Sequence, residues 1–144
     1  MRLRRITACL FLLGIIALSA WAAFPTVSSA TGQPFGADTT DHNVTMPATV
    51  NAGDLLIVLF TNDGGGQTVA TPVDWNQLFT TPNGASTAGV RHGAYYKIAA
   101  GTEGGTTVNF VTSDTEHAVS VTYRITAWHG TTPPEAGTSA TGTR

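Results

Sequence analysis

The sequence predicts an all-β protein, an antiparallel β-sandwich, on three observations. Threonine, valine, glycine and alanine dominate the body of the chain, and apolar runs are separated by Gly, Pro, Asn and Asp, the residues that turn a backbone. Within the runs apolar and polar residues alternate with a period of two, as in a sheet with one covered face. Past the N-terminal segment no window carries apolar residues at three-and-four spacing, so no helical stripe competes. Strands at this spacing with no helices between them belong to antiparallel sandwiches or barrels.

The first element is not part of that body. Met1-Arg2-Leu3-Arg4-Arg5 is basic, "ITACLFLLGIIALSAWAA" is apolar, and the character changes at Phe24-Pro25. A basic start, an apolar stretch and small residues at its end make a secretory signal peptide over residues 1–22. Ala20-Trp21-Ala22 supplies the small-x-small pattern, which places cleavage after Ala22. About eighteen apolar residues can also just span a bilayer as an uncleaved anchor; the small residues and the lack of charge before Pro25 favour cleavage. Ile6-Thr7-Ala8-Cys9 has the form of a lipoprotein box, but only five residues precede Ile6 and no apolar stretch does. Cleavage takes the single cysteine, Cys9, and Arg2, Arg4 and Arg5 with it, leaving four basic residues against nine acidic ones and a formal net charge of −5. No intrachain disulfide is then open to the mature chain, and about 120 residues bury enough core without one. Affinity for nucleic acid rests on neutralising phosphates with lysine and arginine, so nucleic acid is excluded as a partner. An anionic membrane surface is excluded on the same ground.

Residues 23–132 form the β domain, with strands expected near Thr26–Ser29, His42–Met46, Asp54–Thr61, Gln77–Thr81, Val90–Ala99, Thr106–Ser113 and His117–Trp128. Residues 133–144 are a Pro/Gly/Ser/Thr-rich tail. In Val90–Ala99 the alternation groups Val90, Ala94, Tyr96 and Ile98 on an inner face, with Arg91, Tyr95 and Lys97 outside. In Thr106–Ser113, Val108 and Phe110 point in. In His117–Trp128 the inner face is expected to be Val119, Val121, Tyr123, Ile125 and Ala127, and the wet face Ser120, Thr122, Arg124 and Thr126. "DLLIVLF" is apolar on both sides, Leu55, Ile57 and Leu59 on one and Leu56, Val58 and Phe60 on the other, which makes it a central strand.

Gly101-Thr102-Glu103-Gly104-Gly105 invites comparison with a phosphate-binding loop. That loop needs a helix after its glycines, so that helix amides meet the anion. Here a second alternating strand follows, and Glu103 would repel phosphate. The segment is expected to be a hairpin connection, with Gly104 and Gly105 at positive-φ positions.

Four blocks in order, "MPATVNAGDLLIVLFTNDGGG", "TPVDWNQL", "AYYKIAAGTEGG" and "ITAWHG", resemble a jelly-roll-type module of bacterial secreted and surface proteins and of phage tail or virion proteins. The resemblance covers about residues 44 to 130 and implies fold and setting; the family brings no settled ligand or catalytic residues. It also implies further strands after the Trp-x-Gly segment, whereas this sequence passes into "TTPPEAGTSATGTR". The face of Leu56, Val58 and Phe60 is therefore expected to lie partly open, for missing C-terminal strands or self-assembly to cover.

Motifs for catalysis are missing from the sequence: there is no H-x-H or H-E-x-x-H pair, no serine in a nucleophile elbow and no cysteine in the mature chain. Asp114-Thr115-Glu116-His117 could bring three metal ligands to one turn, though short acidic turns are usually only solvated. Asp38, Asp41 and Asn43 could offer loop oxygens to calcium, without the spacing of a defined calcium loop. Binding has more behind it. Carbohydrate-binding sandwiches stack sugars on exposed aromatics, and the candidates are Trp75, Tyr95 and Trp128, with Arg91 and Lys97 beside Tyr95. Trp75, after Pro72-Val73-Asp74, better suits a cap on the end of the core. The sequence thus points to a secreted or cell-surface, non-catalytic module for adhesion or for binding a glycan or surface partner. A structural subunit or repeat of an extracellular or phage-tail-like assembly is the alternative, and a fragment of a secreted hydrolase a distant one.

Overall fold

The structure, a computed structural model, describes residues 24–83 and 89–137. The signal segment 1–22 and the end of the tail, residues 138–144, lie outside the described residues. Six strands form one antiparallel sheet: β1 Thr26–Thr45, β2 Leu55–Asp63, β3 Val69–Ala70, β4 Asn76–Asn83, β5 Val90–Ile98 and β6 Thr107–Thr126. The order is β1-β6-β2-β5-β4, with β3 pairing β6 off this path. No helix occurs among the described residues, and none there is long and apolar enough to cross a membrane.

Two of the expected pairs of strands are single long ones. Thr26–Ser29 and His42–Met46 are the ends of β1, and Thr106–Ser113 and His117–Trp128 together make β6. Gly32, Pro34 and Gly36 read as breakers in isolation, but β6 runs antiparallel beside β1 and supplies hydrogen-bond partners along its length. The register slips between Phe35 and Thr39 and again between Thr39 and Asp41. Extra residues in each strand at those points let the pair bend, as bulges do.

The bend divides the sheet into two parts. The long part holds Thr26–Phe35 of β1, Ala118–Thr126 of β6, β2, β5 and β4. The short part holds Asp41–Thr45 of β1, Thr107–Thr112 of β6, and β3. Phe110 of the short part stacks on Phe60 of β2, with centroids 5.2 Å apart and planes 11° from parallel. The short part therefore folds over one side of the long part. The core lies between them: Val44, Met46 and Phe110 from one part, Leu56, Val58, Phe60 and Tyr95 from the other, with Trp75 at its end.

This geometry corrects the expected faces. Leu56, Val58 and Phe60 are 0, 0 and 1% exposed, so the face expected to lie open is covered within the chain. Tyr95 is fully buried and Ile98 exposed, the reverse of the expected phase in β5. In β6, Ser120 and Thr122 are buried while Val119 is 46% exposed. Alternation groups residues by face, but it does not say which face the rest of the chain will cover. β2 is apolar on both sides, so it gave no preference, and the bend in β6 decided the matter. Thr122 and Gln33 use their polarity between the parts: the Thr122 hydroxyl donates to Thr45 O, and the Gln33 amide bridges Asn43 O and Thr45 N.

The Gly101–Gly105 segment is not a hairpin, because β5 pairs with β2 and β4 while β6 pairs with β1, β2 and β3. It carries the chain from the long part to the short one. Gly101 and Gly105 take positive φ (91° and 69°), whereas Gly104 is there for close approach: a Cβ on it would lie 2.9 Å from Ala48 O.

Candidate functional site

The motif blocks meet at the end of the sheet opposite the bend, and their polar residues are occupied within the chain. Glu103 is buried inside the Gly101–Gly105 crossing, where its carboxylate accepts the amides of Ala100 (3.0 Å), Gly101 (2.9 Å) and Thr102 (3.0 Å) and pairs with Lys97 Nζ at 3.2 Å. Burial pushes the Glu103 carboxyl up, but those amides and the Lys97 ammonium outweigh it and hold the pKa at about 2. Asp54, of the Gly-Asp-Leu block, accepts Arg124 Nε at 2.6 Å and the Asn51 amide at 2.7 Å. Burial raises its pKa and these bonds reverse the shift, leaving it below the usual carboxylate range. Trp128, of the Trp-x-Gly block, donates its indole N–H to Gly53 O at 2.7 Å. Ala127 turns the chain there with φ 54°, which takes Trp128 out of β6, the strand in which it was expected.

The five candidate binding residues do not form one site. Tyr95 points into the core, edge-on to Phe110 at 5.0 Å, and its ring lies over Gly93, where a Cβ would meet it at 2.7 Å. Burial pushes its hydroxyl up to about 12, against the opposing charge of Arg91. Arg91 donates to Thr80 Oγ1 and Gly65 O, tying β4 to the loop after β2. Trp75 caps the core edge-on to Phe110 at 6.1 Å. The turn before it closes through Trp75 N to Pro72 O, with Asp74 at φ 65°. Trp75 and Lys97 share a concavity, a groove of about 440 Å³ between the Thr71–Val73 turn and the Thr107–Val111 stretch of β6.

The metal candidates are also parted. Asp41 accepts Asn109 Nδ2 at 2.6 Å, whereas Asp38 pairs with His117 Nδ1 at 2.7 Å around the bend. Among the described residues no group of three or more His, Cys, Asp or Glu side chains is placed to hold a metal ion. The bend instead gathers like charges. Glu116 is buried against Gly64, whose φ of 86° and lack of a side chain admit the carboxylate. Burial, then the hydrogen bond and charge of Asp63, then the charges of Asp114 and Asp38 push the Glu116 pKa up to about 6.

These two carboxylates give stability opposite dependences on pH. Glu103 has a folded pKa below its unfolded one, so its contribution is present above about pH 4.5 and is lost as pH falls toward 2. Glu116 has a raised folded pKa, so its contribution is full below about pH 4.5 and is lost as pH rises through 6. Glu116→Gln is expected to raise Tm at pH 7.5 and to flatten the decline above pH 6. Glu103→Ala is expected to cost about 2–3 kcal/mol at pH 7, since three amides and an ammonium lose their acceptor. Thermal melts of the three chains from pH 3 to 8 check both.

What the sequence missed is the outer side of the long part. Leu59, Ile98, Val119 and Phe79 are 41, 44, 46 and 40% exposed, with Tyr96 and Tyr123 half-buried between them. The register makes them one surface: Leu59 faces Val121 and Ala94, Ile57 faces Tyr123 and Tyr96, Phe79 faces Ala94 and Pro34 faces Val119. Across these rows, from Leu55 to Thr61 of β2 and their partners, none of the outward residues is Asp, Glu, Lys or Arg. The signal in the sequence was the second apolar side of "DLLIVLF". No family model, no curated protein and no solved structure matches the chain.

Proposed function

We propose that the chain is a secreted or cell-surface, non-catalytic β-sandwich module, jelly-roll-like in the way its sheet folds over, that binds a surface partner through the outer face of its long part. One observation carries this reading: the chain leaves a broad, uncharged, apolar sheet face exposed, and contiguous patches of that kind mark interaction sites. A protein surface suits the face better than a glycan, since sugar hydroxyls need convergent polar partners around an exposed ring. Of the aromatics expected to stack a sugar, Tyr95 and Trp75 are in the core. The non-catalytic reading draws on the lack of a catalytic motif and on the structural work of Glu103 and Asp54, each held by backbone amides and a cation. Export draws on the signal-like residues 1–22.

Expression of the full gene with a secretory host tests both halves of the proposal. N-terminal sequencing of the exported product is expected to start at Ala23 within a residue or two, and a secreted chain that keeps Met1 would contradict the cleavage. The folded product, diluted to nanomolar concentration, is expected to bind the neutral dye Nile red, and the double variant Leu59→Lys, Val119→Lys to lose that binding while keeping its far-ultraviolet spectrum. Equal dye binding by both chains sinks the outer face as the interaction surface.

A further inference from the structure

The partner that best fits this face is a second copy of the same chain. We infer that two copies meet face to face through the outer side of the long part, β2, β5, β4 and the paired ends of β1 and β6, as a two-fold dimer. The inference rests on the interaction-face reading above and names its occupant.

Charge is the first argument. Every described Lys and Arg is already engaged within the chain: Arg91 by Thr80 and Gly65, Lys97 by Glu103, Arg124 by Asp54. Carboxylates at Asp38, Asp63, Asp74, Asp114 and Glu135 remain on the exposed surface, and among the described residues Asp74, Asp114 and Glu135 have no cation beside them. Two copies therefore repel through most approaches, and a partner chosen by charge would seek those carboxylates instead. The outer face is where two such chains can touch without burying a charge or opposing like ones. Among the described residues, the ionisable groups at this face stand at one end: exposed His92 in the Thr61 row, and Asp38, Asp63 and His117 beyond it.

Area is the second. Five strands about 4.8 Å apart and seven residues at about 3.3 Å each give a face of roughly 24 by 23 Å, or about 550 Å² per copy. Doubled and roughened by side chains, that reaches about 1,200 Å², the lower end of stable specific interfaces. Sheets stack about 10 Å apart with their strands within about 30°. Leu59, Val119, Ile98 and Phe79, each about two-fifths exposed or more, are the side chains that would interdigitate across that gap. A single face that meets its own copy closes at two subunits and leaves nothing for a third.

Sedimentation equilibrium of the exported product, from about 0.1 to 100 μM, is the test, since an interface of this size supports dissociation constants near the micromolar range. The expected result is a monomer–dimer equilibrium, with Nile red binding falling as the dimer forms. Leu59→Lys is expected to weaken the dimer about 100-fold, because the symmetric interface carries the buried charge twice. Thr107→Lys, on an exposed position of the short part, is the control expected to leave it unchanged. A product that stays monomeric at 100 μM yet binds the dye overturns the dimer and leaves the interaction face standing. A monomer that binds no dye overturns both. A dimer indifferent to Leu59→Lys, or a ladder of larger species, places self-association elsewhere and overturns the inference.

Discussion

Val58→Lys abolishes the fold, whereas Leu59→Lys, one residue on, leaves it intact. Val58 is fully buried between the two parts of the sheet, in the cluster with Leu56, Phe60, Tyr95 and Phe110. An ammonium placed there has no carboxylate partner in that cluster and costs several kcal/mol beyond the lost valine packing. Domains of this size hold only about 5–15 kcal/mol in all, so the variant is expected to accumulate as insoluble or unfolded chain. Leu59 points the other way, to the outer face, and its replacement is expected to change stability by no more than about 1 kcal/mol. Denaturant unfolding of soluble product, with the yield of folded chain, checks the pair. A folded Val58→Lys chain would mean that the short part does not cover β2.

Phe110→Ala is the next largest expected effect, about 3–5 kcal/mol. Phe110 brings the short part against three aromatic rings at the core. It stacks on Phe60 at 5.2 Å and meets the edges of Tyr95 at 5.0 Å and Trp75 at 6.1 Å. Truncation removes those contacts and leaves a cavity that three rings cannot fill by small shifts. Phe79→Ala, which removes the same ring from the outer face, is expected to cost less than about 1 kcal/mol. Similar losses for both would show that Phe110 is not the contact that holds the sheet folded over.

The contrast between these pairs also shows what the sequence could and could not reveal. The strand class was legible because alternation and turn residues are local properties, and so was the central place of β2, which carries an apolar residue on each side from Leu55 to Phe60. Trp75 as a cap on the core was legible from its place after Pro72-Val73-Asp74. The choice of inner face was not. Ser120 and Thr122 lie beside Phe60 and Val58 on the face that the short part covers, and that depends on the register slips at Phe35 and Thr39, which no local pattern announces. Strand β3, of two residues, lay below any periodicity. Tyr95 and Tyr96 are adjacent and chemically alike, so only the fold decides which enters the core and which stays at the surface.

The same logic accounts for the binding candidates. Lys97, Arg91 and Trp128 are residue types that bind ligands, and here each satisfies a carboxylate or a carbonyl of its own chain. Their spacing in sequence reflects where β5 and β6 end. The outer face escaped notice because its residues are the types expected in a core.

Methyl relaxation by a soluble paramagnetic probe measures that assignment of faces directly. In dilute exported product the methyls of Leu59, Ile98 and Val119 are expected to relax strongly, while those of Leu56 and Val58 stay protected. As concentration rises through the dimer transition, the first group should become protected and the second should not change. Exposed Leu56 and Val58, or protected Leu59 and Val119 at every concentration, would contradict it.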